Sequence, residues 1–111
     1  MSSADELWLR IATEFTEMPG PRHDIEGEWS GEVFRRDFLE PKFEEAVRQG
    51  VPLWIDLDGV EGYATSFLEE AFGGLARKYP QEQIERTLRF KSDEVRSYVD
   101  EILSYIRDAR K

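Results

Sequence analysis

The sequence predicts a small α/β domain with a mostly parallel sheet and helical crossovers. Three observations carry this. Apolar residues alternate with period two over 7–15, a nearly unbroken apolar run fills 51–57, and stretches of helical periodicity separate and follow them. A chain of 111 residues has room for one core. A single domain is therefore expected over 1–111, with 1–6 and 107–111 fraying.

In the first element Leu7, Leu9, Ile11, Thr13 and Phe15 share one parity, which reads as a strand with one buried face. Pro19, Gly20 and Pro21 end it, and 19–29 reads as an irregular loop holding His23 and Trp29. Ser30 is a helix N-cap with Glu32 in the first turn, and Val33, Phe34, Phe38 and Leu39 form the stripe that follows. Pro41 disfavours helical geometry at Glu40, so a break is expected there, with a second segment buried through Phe43, Ala46 and Val47 and ended by Gly50. The run VPLWIDL at 51–57 reads as the central strand, covered on both faces. After a loop at 58–65, Ser66 and Glu69 have capping-box spacing at the start of a helix 66–79. Its stripe is Phe67, Leu68, Ala71, Phe72, Leu75 and Tyr79. The Gly73–Gly74 pair inside it implies close approach of a neighbouring element. Residues 86–91 read as a short strand, and Ser92 as the cap of a last helix with apolar face Val95, Tyr98, Val99, Ile102, Leu103 and Ile106.

Composition narrows the chemistry. Fifteen basic against 24 acidic residues give a net charge of −9, with no basic patch in the sequence, so neither nucleic acid nor an anionic membrane is an expected partner. With no cysteine and one histidine, disulfides, thiolate catalysis, zinc–cysteine sites and histidine clusters are excluded. No basic stretch followed by an apolar run opens the chain, so no signal peptide is expected and the default location is the cytoplasm. No cofactor or metal is expected, and the sequence leaves the oligomeric state open.

In open α/β sheets sites lie beyond the carboxyl ends of the strands. Here that place is the loop after 51–57, carrying Asp56, Asp58, Glu61, Tyr63, Thr65 and Ser66. A hydroxyl at a helix N-terminus faces amide donors and the positive end of the dipole, so Ser66 and Thr65 are candidate phosphoacceptors. Ser66 is also a plain N-cap candidate, and Glu69 and Glu70 nearby would oppose a phosphate. The turn DLDGV at 56–60 resembles the short signature of haloacid-dehalogenase-type phosphohydrolases. That resemblance implies Asp56 as nucleophile and Asp58 as acid–base with magnesium, and it is the alternative reading. Arg35 and Arg36 read as a solvated helix face, and Trp8, Trp29 and Trp54 as core residues or interface anchors.

The stretch WIDLDGVEGYATSFLEEAFGGL, with GEVFRRDFLEPKF upstream, resembles the STAS-like domain family of unknown function, itself similar to anti-sigma-factor antagonists. The resemblance covers about residues 20–105. It implies a non-enzymatic protein-interaction module of intracellular signalling, paired with a histidine-kinase-type ATPase by partner switching. In the antagonists a serine of an Asp-Ser-Ser-Gly motif at the helix start is phosphorylated. Ala64, Thr65, Ser66 and Phe67 align with that motif, which keeps both hydroxyls and loses the aspartate and the glycine. The implied partner-binding residues are Asp58, Glu61, Tyr63, Thr65 and Ser66, on the loop and the exposed face of the following helix.

Overall fold

The computed structural model describes residues 5–23 and 29–109. Strand β1 (Leu7–Arg10) passes directly into one helical turn, α1 (Ile11–Glu14). Helix α2 covers 31–49, β2 is Leu53–Asp56, and α3 covers 65–78. Helix α4 (Gln81–Thr87), β3 (Leu88–Lys91) and α5 (Ser97–Asp108) complete the order. The strands form one parallel sheet, β1-β2-β3, with the apolar run at its centre as predicted. Among the described residues no helix is long and apolar enough to cross a membrane.

Register places Leu7, Leu53 and Leu88 in one row and Leu9, Ile55 and Phe90 in another. These rows face the core, where Phe34, Phe43, Phe67 and Phe72 are fully buried. The alternate rows are Trp8, Trp54, Arg89 and Arg10, Asp56, Lys91, and none of these six is buried. The expectation that β2 is covered on both faces is therefore corrected. Its outer face is shielded by the stacked rings of Trp8 and Trp54, 5.4 Å apart, with the Arg10 guanidinium 4.7 Å from the Trp8 ring. Trp29 is 44% exposed, its ring edge-on to Phe15.

Several boundaries differ from those predicted. The strand parity of 7–15 holds only to Arg10. Ile11 and Phe15 are also four apart, which suits a helical turn equally well, and the Glu14 carboxylate decides it by accepting the Arg10 N–H at 2.8 Å. The loop expected over 19–29 falls partly on 24–28, which lie outside the described residues.

Helix α2 begins as predicted, with Ser30 Oγ accepting the Val33 N–H at 3.1 Å. It does not break at Pro41. Residues Arg35–Leu39 form a π-helical turn, in which the Glu40 N–H reaches back to the Arg35 carbonyl. The widened turn absorbs the missing N–H of Pro41 and its ring, and the helix runs on through Glu40–Gln49 to Gly50 in the left-handed region (φ 69°).

Helix α3 carries a second π-helical turn, Glu69–Gly73. Here α2 and α3 cross closely, and the neighbour implied by the glycine pair is Arg35. Arg35 is not solvated as expected. It spans Glu40 on its own helix and Glu70 on α3, at 2.7 and 2.8 Å. Helix α4, which 80–85 did not predict, buries Ile84 and Thr87.

Candidate functional site

The site is the loop joining β2 to α3, at the carboxyl end of the sheet. Asp56 leaves the strand and its Oδ1 accepts the Asp58 N–H at 3.0 Å, closing a tight Asx turn that Gly59 completes at φ 87°. Asp58 then turns toward the next loop. Its Oδ2 accepts from Lys91 Nζ at 2.7 Å and from the Asp93 N–H at 3.1 Å, and its Oδ1 accepts the Glu94 N–H at 2.9 Å. Glu94 returns the contact by accepting the Gly59 N–H at 2.9 Å. Burial works against the Asp58 charge, but Lys91 and the two amides outweigh it and hold the carboxyl below its usual pKa.

Tyr63 braces the loop from beneath. Its hydroxyl donates to the Leu57 carbonyl at 2.9 Å, and its ring meets Tyr98 edge-on at 4.9 Å. Burial foremost, with Tyr98, Asp56 and Asp58 adding, pushes its phenol up, so it stays a donor. Glu61 is exposed, tied through its N–H to the Glu17 carbonyl at 2.9 Å.

The start of α3 differs from the capping-box expectation. Ala64 is the N-cap and Thr65 the first helical residue, so Ser66 sits one position inside. Glu69 does not reach back to Ser66, because its carboxylate is held by Arg22 and Arg77. An ion pair with two guanidiniums outcompetes a single bond to a backbone amide. Thr65 is exposed, beside Tyr105, while Ser66 is half-buried and makes no side-chain hydrogen bond among the described residues.

Ser92 was predicted to cap the last helix. Its hydroxyl instead donates to the Val95 carbonyl, and α5 starts at Ser97. The amides of Asp93 and Glu94 are satisfied by Asp58 from across the sheet, a partnership that no local sequence pattern announces. Lys91, Glu94, Tyr98 and Tyr105 thus belong to the site without having been predicted. Only Lys91 left a trace, ending the strand that pairs with the one ending at Asp56.

Of the six residues expected here, Glu61 and Thr65 face solvent, Ser66 is partly accessible, and Asp56, Asp58 and Tyr63 build the support. Among the described residues no three acidic or histidine side chains gather as a metal-ligand set. Replacing Asp58 by Asn should cost about 1.5–3 kcal/mol at neutral pH, the range for hydrogen bonds to a charged group. A depressed folded pKa places this stability above the ordinary carboxylate range near pH ~4 and removes it as pH falls through the folded value. Urea unfolding of wild type and Asp58→Asn should therefore differ at pH 7 and converge in acid. An equal difference at both pH values would show that the ionised carboxylate is not the brace.

Comparison with known proteins agrees with this architecture. Neither a curated protein nor a solved structure matches the chain. A family model does, described as a STAS-like domain of unknown function (DUF4325), over residues 30–97. That span takes in α2, the central strand, the braced loop, α3 and β3, more than half of the chain, and the chain belongs to this STAS-like family.

Proposed function

We propose that this domain is a non-enzymatic protein-interaction module of intracellular signalling, which docks a histidine-kinase-type ATPase on the 58–66 loop and the start of α3. The observation that carries this reading is the braced loop itself. Asp58 and Tyr63 spend their polar atoms on holding the loop, and Glu61, Thr65 and the edge of Ser66 are left outward on a rigid platform. Asp58, the acid–base of the alternative phosphohydrolase reading, has both carboxylate oxygens in this brace.

Phosphorylation of Ser66 regulates the contact in this proposal, by adding charge where the partner docks. Support comes from the helix start. The Thr65 and Ser66 N–H groups precede the first intrahelical bonds, which begin at Phe67 and Leu68, so both are available to an anion. The repulsion expected from Glu69 and Glu70 is relieved, since Glu69 pairs with Arg22 and Arg77, and Glu70 with Arg35.

The test is intact mass after incubation with ATP, magnesium and lysate of the native host. The expected result is one added phosphate on Ser66, with Ser66→Asp binding the recovered partner at least about tenfold more weakly, or about 1.4 kcal/mol. Unchanged binding by both Ser66→Asp and Thr65→Asp would remove the switch and leave a constitutive binding module.

A further inference from the structure

The two edges of the sheet are finished differently. At β1 the Leu7 N–H donates inward to the Pro52 carbonyl at 2.9 Å, so Trp8 and Arg10 carry the outward backbone groups. Two of those groups are taken. Lys42 Nζ donates to the Trp8 carbonyl at 3.0 Å, and the Arg10 N–H donates to Glu14. At β3 the Leu57 N–H donates to the Lys91 carbonyl at 2.8 Å, which turns the N–H and C=O of Phe90 away from the sheet. The Leu88 carbonyl faces the same way and is taken by Arg89 at 2.9 Å. The Phe90 pair meets no partner among the described residues.

Beside Phe90 a groove of about 400 Å³ runs between β3 and α5. Leu88, Phe90, Val99, Leu103 and Ile106 line it, and Leu103 is 37% exposed. Arg89 and Arg107 line it as well, against the single acid Glu85. Neither arginine is ion-paired among the described residues, a state they share with Arg10, Arg48, Arg86 and Arg96, and Arg89 Nη1 also donates to the Glu85 and Arg86 carbonyls at 3.4 and 3.1 Å. In a chain of net charge −9, an apolar groove with a basic rim selects for acidic, apolar partners.

We infer that the β3 edge receives an extended acidic–apolar segment of a partner protein as a fourth strand. Its main chain pairs with Phe90, its apolar side chains rest on Leu88 and Leu103, and its carboxylates meet Arg89 and Arg107. A second copy of this chain fits less well. Its β1 edge is partly taken by Lys42 and Glu14, and pairing through β3 would bring the arginines of both copies together. The groove is separate from the loop of the proposed function, since none of Asp58, Glu61, Tyr63, Thr65 and Ser66 lines it.

The probe is a short end-blocked peptide of alternating valine and glutamate, titrated into the full chain and followed by amide shifts. The Phe90 amide should move downfield and exchange more slowly. A valine–lysine peptide should bind about tenfold more weakly, as two or three rim charges would give. Leu103→Asp should lose binding with its circular dichroism intact, Arg107→Glu should reverse the peptide preference, and Ser66→Asp should leave binding unchanged. The inference is overturned by a static Phe90 amide at millimolar peptide, by equal binding of the lysine peptide, or by shifts centred on 58–66. It is equally overturned by a dimer that Leu103→Asp dissolves, which would assign the groove to a second copy.

Discussion

Replacing Arg35 with alanine should destabilise the fold by about 3–5 kcal/mol, the range for breaking a buried ion pair from one side. Its side chain is 19% exposed, against 8% for Glu40 and 12% for Glu70. The guanidinium spends one nitrogen on each carboxylate, and its Nε donates to the Glu70 carbonyl at 3.2 Å, inside the π-helical turn of α3. Burial works against this charge, but the bonds from Glu70 and Glu40 more than restore it, and the pKa lies above its usual value. Without Arg35, Glu40 keeps Lys78 at 2.8 Å, while Glu70 keeps only a longer contact to Arg22 at 3.4 Å. The penalty falls on Glu70. The same geometry explains Gly74, where a Cβ would stand 2.5 Å from Arg35 Nε and 2.8 Å from its Cδ. Gly74→Ala should cost about 1–3 kcal/mol in the wild type, since the guanidinium cannot step aside without giving up its bonds. In the Arg35→Ala background there is nothing to strike, and the alanine should gain about 0.5–1 kcal/mol from helix propensity. Urea unfolding of the four proteins reads this coupling directly. An Arg35→Ala cost below about 1 kcal/mol, or the same Gly74→Ala cost in both backgrounds, would mean that the pair does not join the two helices.

The residues that were legible in the sequence are those whose structural cause is local. Ser30 caps α2 because its hydroxyl meets an amide three residues on, and Gly50 ends it because the chain must enter the left-handed region. The central strand was legible because a short apolar run between turn signals suits the middle of a sheet, although the covering of both faces that it implied is not found. Failures came where a distant partner decided the outcome. Glu69 has capping-box spacing from Ser66, but Arg22, 47 residues upstream, and Arg77 claim it. Ser92 looks like a cap, but Asp58 supplies the acceptors for the amides that follow it. Pro41 reads as a break because its effect on an α-helix is local, whereas the π-helical turn that accommodates it is fixed by the crossing with α3. Trp54 reads as covered on both sides because apolar character alone does not distinguish a helix lying over a face from another tryptophan stacked beside it. For the site, the sequence located the right loop and named its residues, but it could not separate those that present a surface from those that brace it.

Gly31→Ala should destabilise the protein by about 2–3 kcal/mol and also displace the candidate docking surface. The backbone at Gly31 is not in the left-handed region, so alanine is conformationally acceptable and in isolation would help the helix. The cost is steric. A Cβ there would lie 2.7 Å from the Phe67 carbonyl oxygen, 3.2 Å from Phe67 Cα and 3.1 Å from Glu70 Cβ. Two of these three atoms are backbone, and the Phe67 ring is fully buried among Phe15, Phe34 and Tyr63, so relief requires α3 to move as a body. Gly73 provides the contrast. Its Cβ would meet Glu69 Oε2 at 2.5 Å, the far end of a partly exposed side chain paired with Arg22 and the exposed Arg77 rather than backbone, and Gly73→Ala should stay within about 1 kcal/mol of wild type. Phe67 directly follows Ser66, so a shift of α3 at this point carries Thr65 and Ser66 with it. Gly31→Ala should therefore move the amide resonances of Thr65 and Ser66 and weaken partner binding, although Gly31 itself is buried at the start of another helix. Gly73→Ala should do neither. Two variants of equal stability would show that the α2–α3 crossing has slack. A destabilised Gly31→Ala protein with unmoved Thr65 and Ser66 amides would show that the loop brace of Asp58 and Tyr63, not the helix crossing, holds the docking surface in place.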